Sequence, residues 1–345
     1  MRVKLPRVGM SVLVAAAAAA VPLAAQAPTV TVGGVGYAQY VYQIKDTANH
    51  LNNFDVTRAY INVLGSFPAG VKTRVTGDIY RNTVDGSLTY RLKYAYAAWT
   101  PEKSALTFKF GQLHTPFLDW EENLWDYRMQ GQMAWERAGY LSSSDFGAGI
   151  DGMWGFERVN MQIGIFNGEN YNKPVAGDKQ KDVMGRLSVR LLGTDQAGRT
   201  GGLRLTGYGQ VGKPTGGGRR NRFIGMLSWR SKVLTLAAEY GATKDTATAP
   251  VAGTKKGRVI SAFGVLRVPK TKVELIGRFD STDPNTASTV INDRISRVIA
   301  GLAYNVGPNL RVLADIDNAS YQGGVTTPAL EAVRSQALFQ IQFTF

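Results

Sequence analysis

With two histidines and no cysteine, this 345-residue chain has few groups that could act as nucleophile or metal ligand. Hydrolysis by a serine would need a histidine beside it and a third group to orient that histidine. His50 and His114 stand in different connections, and neither has a triad spacing. Glu121 and Glu122 are adjacent acids that could suit acid–base or calcium chemistry, yet no nucleophile or ligand cluster accompanies them. Gly216-Gly217-Gly218-Arg219-Arg220 could cradle a phosphate through backbone N–H groups, but without a strand–loop–helix setting it reads as an outer loop. The sequence offers no catalytic set, no metal cluster and no cofactor motif.

The residues that do recur with a spacing are arginine and lysine, and the spacing is two. In 105–113, Leu106, Phe108 and Phe110 point one way, while Thr107, Lys109 and Gly111 point the other. In 90–99, Tyr90, Leu92, Tyr94 and Tyr96 are expected on one face, with Arg91 and Lys93 opposite. In 183–191, Val183, Leu187, Val189 and Leu191 oppose Arg186, Ser188 and Arg190. The charged face gathers Arg58, Lys72, Arg74, Arg91, Lys93, Lys109, Arg186, Arg190, Arg204, Arg278, Arg297 and Arg311. Fewer acids share it: Asp78, Asp151, Glu239, Glu274, Asp280, Asp315 and Asp317.

The elements that position these residues are strands. Alternation predicts strands near 30–43, 54–66, 71–81, 89–100, 105–113, 146–154, 158–167, 183–193, 202–212, 221–229, 233–243, 258–268, 272–281, 293–305, 309–319 and 334–345. Most have about the length a tilted strand needs to cross a bilayer. Every other connection is short, as at 67–70, 101–104, 155–157, 230–232, 269–271 and 306–308, with 194–200 somewhat longer. The intervening connections are long and polar. That asymmetry, with an even strand number, predicts an all-β, antiparallel up-and-down transmembrane barrel of about 16 strands, closed on itself. Arginines facing lipid at the bilayer centre would cost about 2–4 kcal/mol each, so the charged face belongs to a wet lumen.

Both termini support a barrel carried to an outer membrane. Arg2, Lys4 and Arg7 precede the apolar stretch Val8 to Ala20, and Ala25-Gln26-Ala27 forms an A-x-A pattern. Residues 1–27 are therefore expected to be a cleaved export signal, with cleavage after Ala25 as an alternative, and 28–345 a single barrel domain. Removing the three basic residues lowers the formal charge from +14 to +11. Export and dispersed, period-two charges argue against nucleic acid as partner. At the other end, Phe339, Ile341, Phe343 and Phe345 share one face, which resembles the terminal signature read by the barrel-assembly machinery.

The longest connection, His114 to Asp145, is the third outer loop in this count. It carries Asp119, Trp120, Glu121, Glu122, Trp125, Asp126, Tyr127, Arg128, Trp135, Glu136 and Arg137. A long loop in a compact protein is usually functional. This one is expected to fold into the lumen as a constriction, the alternative being a surface loop on the rim. Its aromatics could form a stacking slide for sugars.

Three stretches carry a family resemblance: FDVTRAYINVLGSFPAG from Phe54, LKYAYAAW from Leu92 and FKFGQLHTPF from Phe108. With Arg58, Ala95-Tyr96-Ala97-Ala98-Trp99, Phe110-Gly111-Gln112 and Pro116-Phe117, they make residues 54–118 similar to the N-terminal half of phosphate-selective porins of the O/P type. The resemblance implies a sixteen-stranded homotrimeric porin in the outer membrane, among lipid and lipopolysaccharide. The phosphate-specific part does not carry over, because the third loop sets Arg128 and Arg137 against five acids. The expected function is passive diffusion of small polar solutes with a mild preference for anions, unless the wall cations pair with the wall acids and the acidic loop and leave little net selectivity. A phosphate, oxyanion or sugar channel, or a non-conducting barrel, is the alternative.

Overall fold

The computed structural model describes residues 27–171, 179–214, 217–247, 253–286, 293–324 and 327–345. Most of the export signal read at 1–27 lies outside them, as does Gly216 of the glycine run. Sixteen antiparallel strands form one closed barrel in which each pairs with its neighbours in sequence and β1 pairs with β16. They are β1 (Thr29–Gln43), β2 (Asn52–Phe67), β3 (Val71–Arg81), β4 (Leu88–Trp99), β5 (Leu106–His114), β6 (Ser144–Trp154), β7 (Val159–Phe166) and β8 (Asp182–Leu192). The second half is β9 (Gly202–Gly212), β10 (Arg219–Arg230), β11 (Leu234–Ala247), β12 (Gly253–Arg267), β13 (Val273–Asp283), β14 (Ile295–Gly307), β15 (Leu310–Tyr321) and β16 (Ser335–Thr344). Among the described residues three short α-helices interrupt the connections: α1 (Leu118–Trp125) and α2 (Ala134–Arg137) in the third outer loop, and α3 (Pro328–Val333) before the last strand.

Alternation decides which face meets what. On β10, Phe223, Gly225 and Leu227 are exposed while Arg222, Ile224, Met226 and Ser228 are buried. The exposed set is the outer face, available to lipid, and the buried set points inward. The same phase holds on β8, β9, β11 and β13.

The last strand closes the barrel on glycines. A β-carbon at Gly36 would stand 2.1 Å from Cζ of Phe343, and one at Gly34 would stand 2.2 Å from Cζ of Phe345. The aromatic rings therefore lie flat across strand β1, an arrangement known to stabilise glycine in a sheet.

On β4 the face assignment needs correction. Thr76 pairs with Tyr94 and Gly77 with Leu92, so Lys93 is an extra residue in a β-bulge. A bulge reverses the parity beyond it. Tyr90 and Leu92 stay outside, but Tyr94 turns inward, stacked on His114 with ring centroids 3.8 Å apart. Tyr96 turns with it, beneath the Lys109 ammonium. Strict period-two counting had placed both with the lipid-facing residues.

Candidate functional site

The inner wall carries the cations found by alternation, and it divides into two chemically different arcs. On β2 to β5 the cations rest largely on neutral groups. Lys93 donates to the Tyr60 hydroxyl at 2.6 Å, and Arg58 donates to the same hydroxyl. Arg74 bonds Asn62 Oδ1 and Thr76 Oγ1, each at 2.9 Å, and lies 3.1 Å from His114 Nε2. Arg91 donates to the Tyr171 hydroxyl at 3.1 Å. Ring faces complete these contacts: Arg74 lies 4.6 Å from the Tyr94 centroid, Arg91 4.5 Å from Tyr171 and Lys93 4.7 Å from Tyr60. Asp78 serves both Arg58, at 3.5 Å, and Lys93, at 4.0 Å, and Asp151 serves Lys109. Farther round, Arg186, Arg190 and Arg204 donate to the backbone carbonyls of Pro116, Phe156 and Gly201. Lys72 shares the inward parity at the start of β3 and is exposed.

From β10 to β15 the pattern changes. Arg222 pairs with Asp245 at 2.5 Å, Arg278 with Asp280 at 2.6 Å, and Arg297 with Asp317. Arg267 meets Asp126 at 3.3 Å and Glu274 at 3.7 Å. A carboxylate partner cancels a cation's field at a distance, whereas a phenol, amide or carbonyl fixes its position and leaves its charge. The lumen is therefore more positive along β2–β9 than along β10–β15.

The third outer loop lies inside the barrel against the paired arc. Its contacts run from Arg186 on β8, which donates to Pro116 O at 2.9 Å, to Gln340 on β16, which donates to Met129 O at 2.8 Å. Between them the Tyr127 hydroxyl donates to Glu274 at 2.8 Å, and Arg137 lies 3.9 Å from both Asp280 and Asp317. The rim alternative is thereby replaced.

Helix α1 is gripped at its C-terminus, where free carbonyls and the helix dipole attract cations. Arg230 donates to Asn123 O, Arg311 donates to Asp126 O at 2.9 Å, and Arg267 reaches the Asp126 carboxylate. At its other end Asp119 bonds Arg199 at 2.5 Å, from the turn between β8 and β9. Burial works against ionising Asp119, but His114 and Arg199 hold its carboxyl below the usual carboxylate range. The longer inner turn noted at 194–200 thus reaches up to the loop.

The four loop aromatics are packing, which corrects the stacking-slide expectation. Trp120, Trp125, Tyr127 and Trp135 are fully buried, so no ring face is open to a solute. Arg186 covers Trp120 at 4.1 Å, and Trp125 meets Phe263 edge-on at 5.5 Å. Trp135 fills the space above Gly241, where a β-carbon would come within 2.3 Å of the indole.

The loop acids are not a free acidic surface either. Glu122 and Glu136 both bond Arg128 at 2.6 Å, forming a clamp within the loop. Burial opposes the charge on Arg128, but these two carboxylates raise its pKa further, and Arg58 across the lumen is close enough to act on it. Glu121 is fully buried, and its carboxyl lies beside that of Glu239 on β11, itself buried. Burial, and then Glu239, push the Glu121 pKa well above the ordinary range, so it is protonated where other carboxylates are charged.

Alternation missed several participants. Tyr60, Asn62 and Tyr171 are neutral residues whose value lies in holding a cation. Arg199 and Arg230 lie in or beside inner turns. Arg267 ends β12, where alternation is irregular. The terminal aromatics Phe339, Phe343 and Phe345 are exposed on the outer face, with Ile341 half-buried beside them.

No protein-family model matches the chain, and no curated sequence matches it. Solved structures do. An anion-selective porin from Comamonas acidovorans superposes with a TM-score of 0.67 at 12% identity, covering 92% of this chain and 100% of that one. OmpF of Salmonella typhi, in complex with daunomycin, gives 0.67 at 12% identity over 92% of this chain and 97% of that one. The outer-membrane channel DcaP of Acinetobacter baumannii gives 0.61 at 10% identity over 92% and 97%. The chain has the barrel fold of these outer-membrane porins and channels.

Proposed function

We propose that the protein is an outer-membrane porin through which small hydrophilic solutes diffuse passively, with a preference for anions. The observation that carries this reading is the unequal wall. On β2–β9 many cations are held by tyrosines, amides and backbone carbonyls, with only Asp78 shared by Arg58 and Lys93 and Asp151 on Lys109 as carboxylate partners, whereas the cations on β10–β15 are matched more fully by carboxylates. A wall lined by positive side chains lowers the electrostatic barrier for anions. The path would run between the Arg128 clamp and the β2–β5 wall, making the third loop the constriction.

Export of residues 28–345 as a single domain after removal of 1–27, insertion by the barrel-assembly machinery through the terminal aromatics, and assembly as a homotrimer belong to the same proposal. A trimer form has been described for OmpT of Vibrio cholerae, which superposes with a TM-score of 0.64 at 13% identity. Liposome swelling tests the diffusive part. Vesicles holding the purified protein should admit small sugars and small organic anions at rates that fall with solute size. Swelling no faster than in empty vesicles would count against a pore.

A further inference from the structure

The outer surface of the barrel has a charge arrangement that the lumen does not explain. Lys244 on β11 and Lys256 on β12 are directly opposite each other in register, and both are exposed. Their inward neighbours set the phase: Thr243 and Gly257 are buried, and Asp245 pairs with Arg222. The two lysines therefore project from the outer face. Like charges directly opposite across a sheet are destabilising. Asn221, the cross-strand partner of Lys244 on β10, has exposed Arg219 two residues farther along the same face. Lys213, just past the end of β9, is exposed as well. None of these four cations forms an ion pair with a described residue.

Their height on the wall is fixed by what lies beneath them. Descending the same face, Phe223 and Tyr240 are 56% and 57% exposed and mark the edge of the lipid-facing surface. Aromatic residues collect where the hydrocarbon core of a membrane gives way to headgroups. All four cations lie beyond this edge, next to the outer loops. The height calls for an anion belonging to the membrane surface, and repulsion between Lys244 and Lys256 calls for one that bridges both.

The geometry points to a binding site on the exterior of β9–β12 for the phosphate groups of a phosphorylated outer-leaflet glycolipid, centred on Lys244 and Lys256. This inference rests on the outer-membrane reading above. A glycolipid phosphate would sit between the two ammonium groups, relieve their repulsion, and lay its acyl chains on the apolar face below. Arg219 and Lys213 would extend the contact along the rim.

The test uses the full-length protein in detergent micelles, titrated with bisphosphorylated lipid A and followed by native mass spectrometry. Lys244→Gln/Lys256→Gln should weaken lipid A binding about thirtyfold, from the ordinary worth of two basic residues at an anionic membrane surface. Lys103→Gln, at an inner turn, should leave it unchanged. The double variant removes exposed repulsive charges, so in lipid-free micelles it should unfold at the same temperature as the parent or higher. Dephosphorylated lipid A should bind no better to the parent than to the variant. Equal affinity of parent and double variant for bisphosphorylated lipid A would overturn the site, as would loss of lipid A from the parent on adding inorganic phosphate at the same concentration. Conductance of the same preparation separates the two readings: channels without lipid A binding would sink this inference alone, and an absence of channels would sink the porin reading.

Discussion

The Lys93 ammonium donates to the Tyr60 hydroxyl at 2.6 Å, inside a barrel wall where a carboxylate would be the usual partner for a buried lysine. Asp78 stands farther off at 4.0 Å and is shared with Arg58. A phenol holds the ammonium in place without cancelling its field. Lys93→Gln should therefore shift permeability toward cations, while Asp78→Asn should shift it toward anions. Reversal potentials of the two variants measured side by side check this; shifts of the same sign in both would show that the local charge does not set selectivity.

Arg128 joins two carboxylates of one loop. Arg128→Ala would leave Glu122 and Glu136 largely buried and unmatched, a change that typically costs about 3–5 kcal/mol when a buried pair loses one partner. The expected result is a loosened loop with larger and noisier single-channel currents. Deleting 119–135 should raise conductance further, and unchanged conductance in that deletion would show that the loop does not narrow the path.

Glu121 makes the hold of the loop depend on pH. The folded protein keeps a proton on Glu121 that the unfolded chain releases near the ordinary glutamate value of about 4.3. Stability contributed at this site therefore falls as pH rises above that value, until the raised folded pKa is passed. Asp119, whose folded pKa is lowered, contributes in the opposite sense and loses its contribution in strong acid. Glu121→Gln should flatten the alkaline loss, read as unfolding temperature against pH. A parent and variant with parallel profiles would contradict the assignment.

Phe343 covers Gly36 at the seam between the first and last strands. Phe343→Ala would expose the glycine and remove aromatic surface from the closing strand, at a cost of about 1–3 kcal/mol. The fraction of barrel that resists unfolding in gel electrophoresis without heating should drop. Gly36→Ala should be milder, because the ring edge that it meets can swing away. A Gly36→Ala defect larger than that of Phe343→Ala would reverse this ordering.

The barrel was legible because a membrane strand must satisfy two solvents at a period of two, and that constraint marks most of the strands. Arg58, Lys109, Arg186 and Arg278 could be placed inward from alternation alone. The exception on β4 shows where the rule stops: one bulged residue, Lys93, turns Tyr94 and Tyr96 inward, and nothing in the local composition announces it. The position of the third loop was legible from its length, but the use of its tryptophans was not. Trp120, Trp125 and Trp135 look like a solute track in one dimension and become packing only when Arg186, Phe263 and Gly241 arrive from distant strands. The partners of the wall cations were hidden for the same reason, since Tyr60 and Lys93 lie 33 residues apart in the chain.

The central claim is that the protein forms a diffusive pore whose β2–β9 wall, richer in cations than in carboxylates, favours anions. A planar bilayer with purified protein under a potassium chloride gradient tests it most directly. The account predicts ohmic current that does not saturate with salt, and a reversal potential on the chloride side of zero. A reversal potential on the potassium side would contradict the assigned role of the β2–β9 wall, and a bilayer that carries no current would contradict the pore itself.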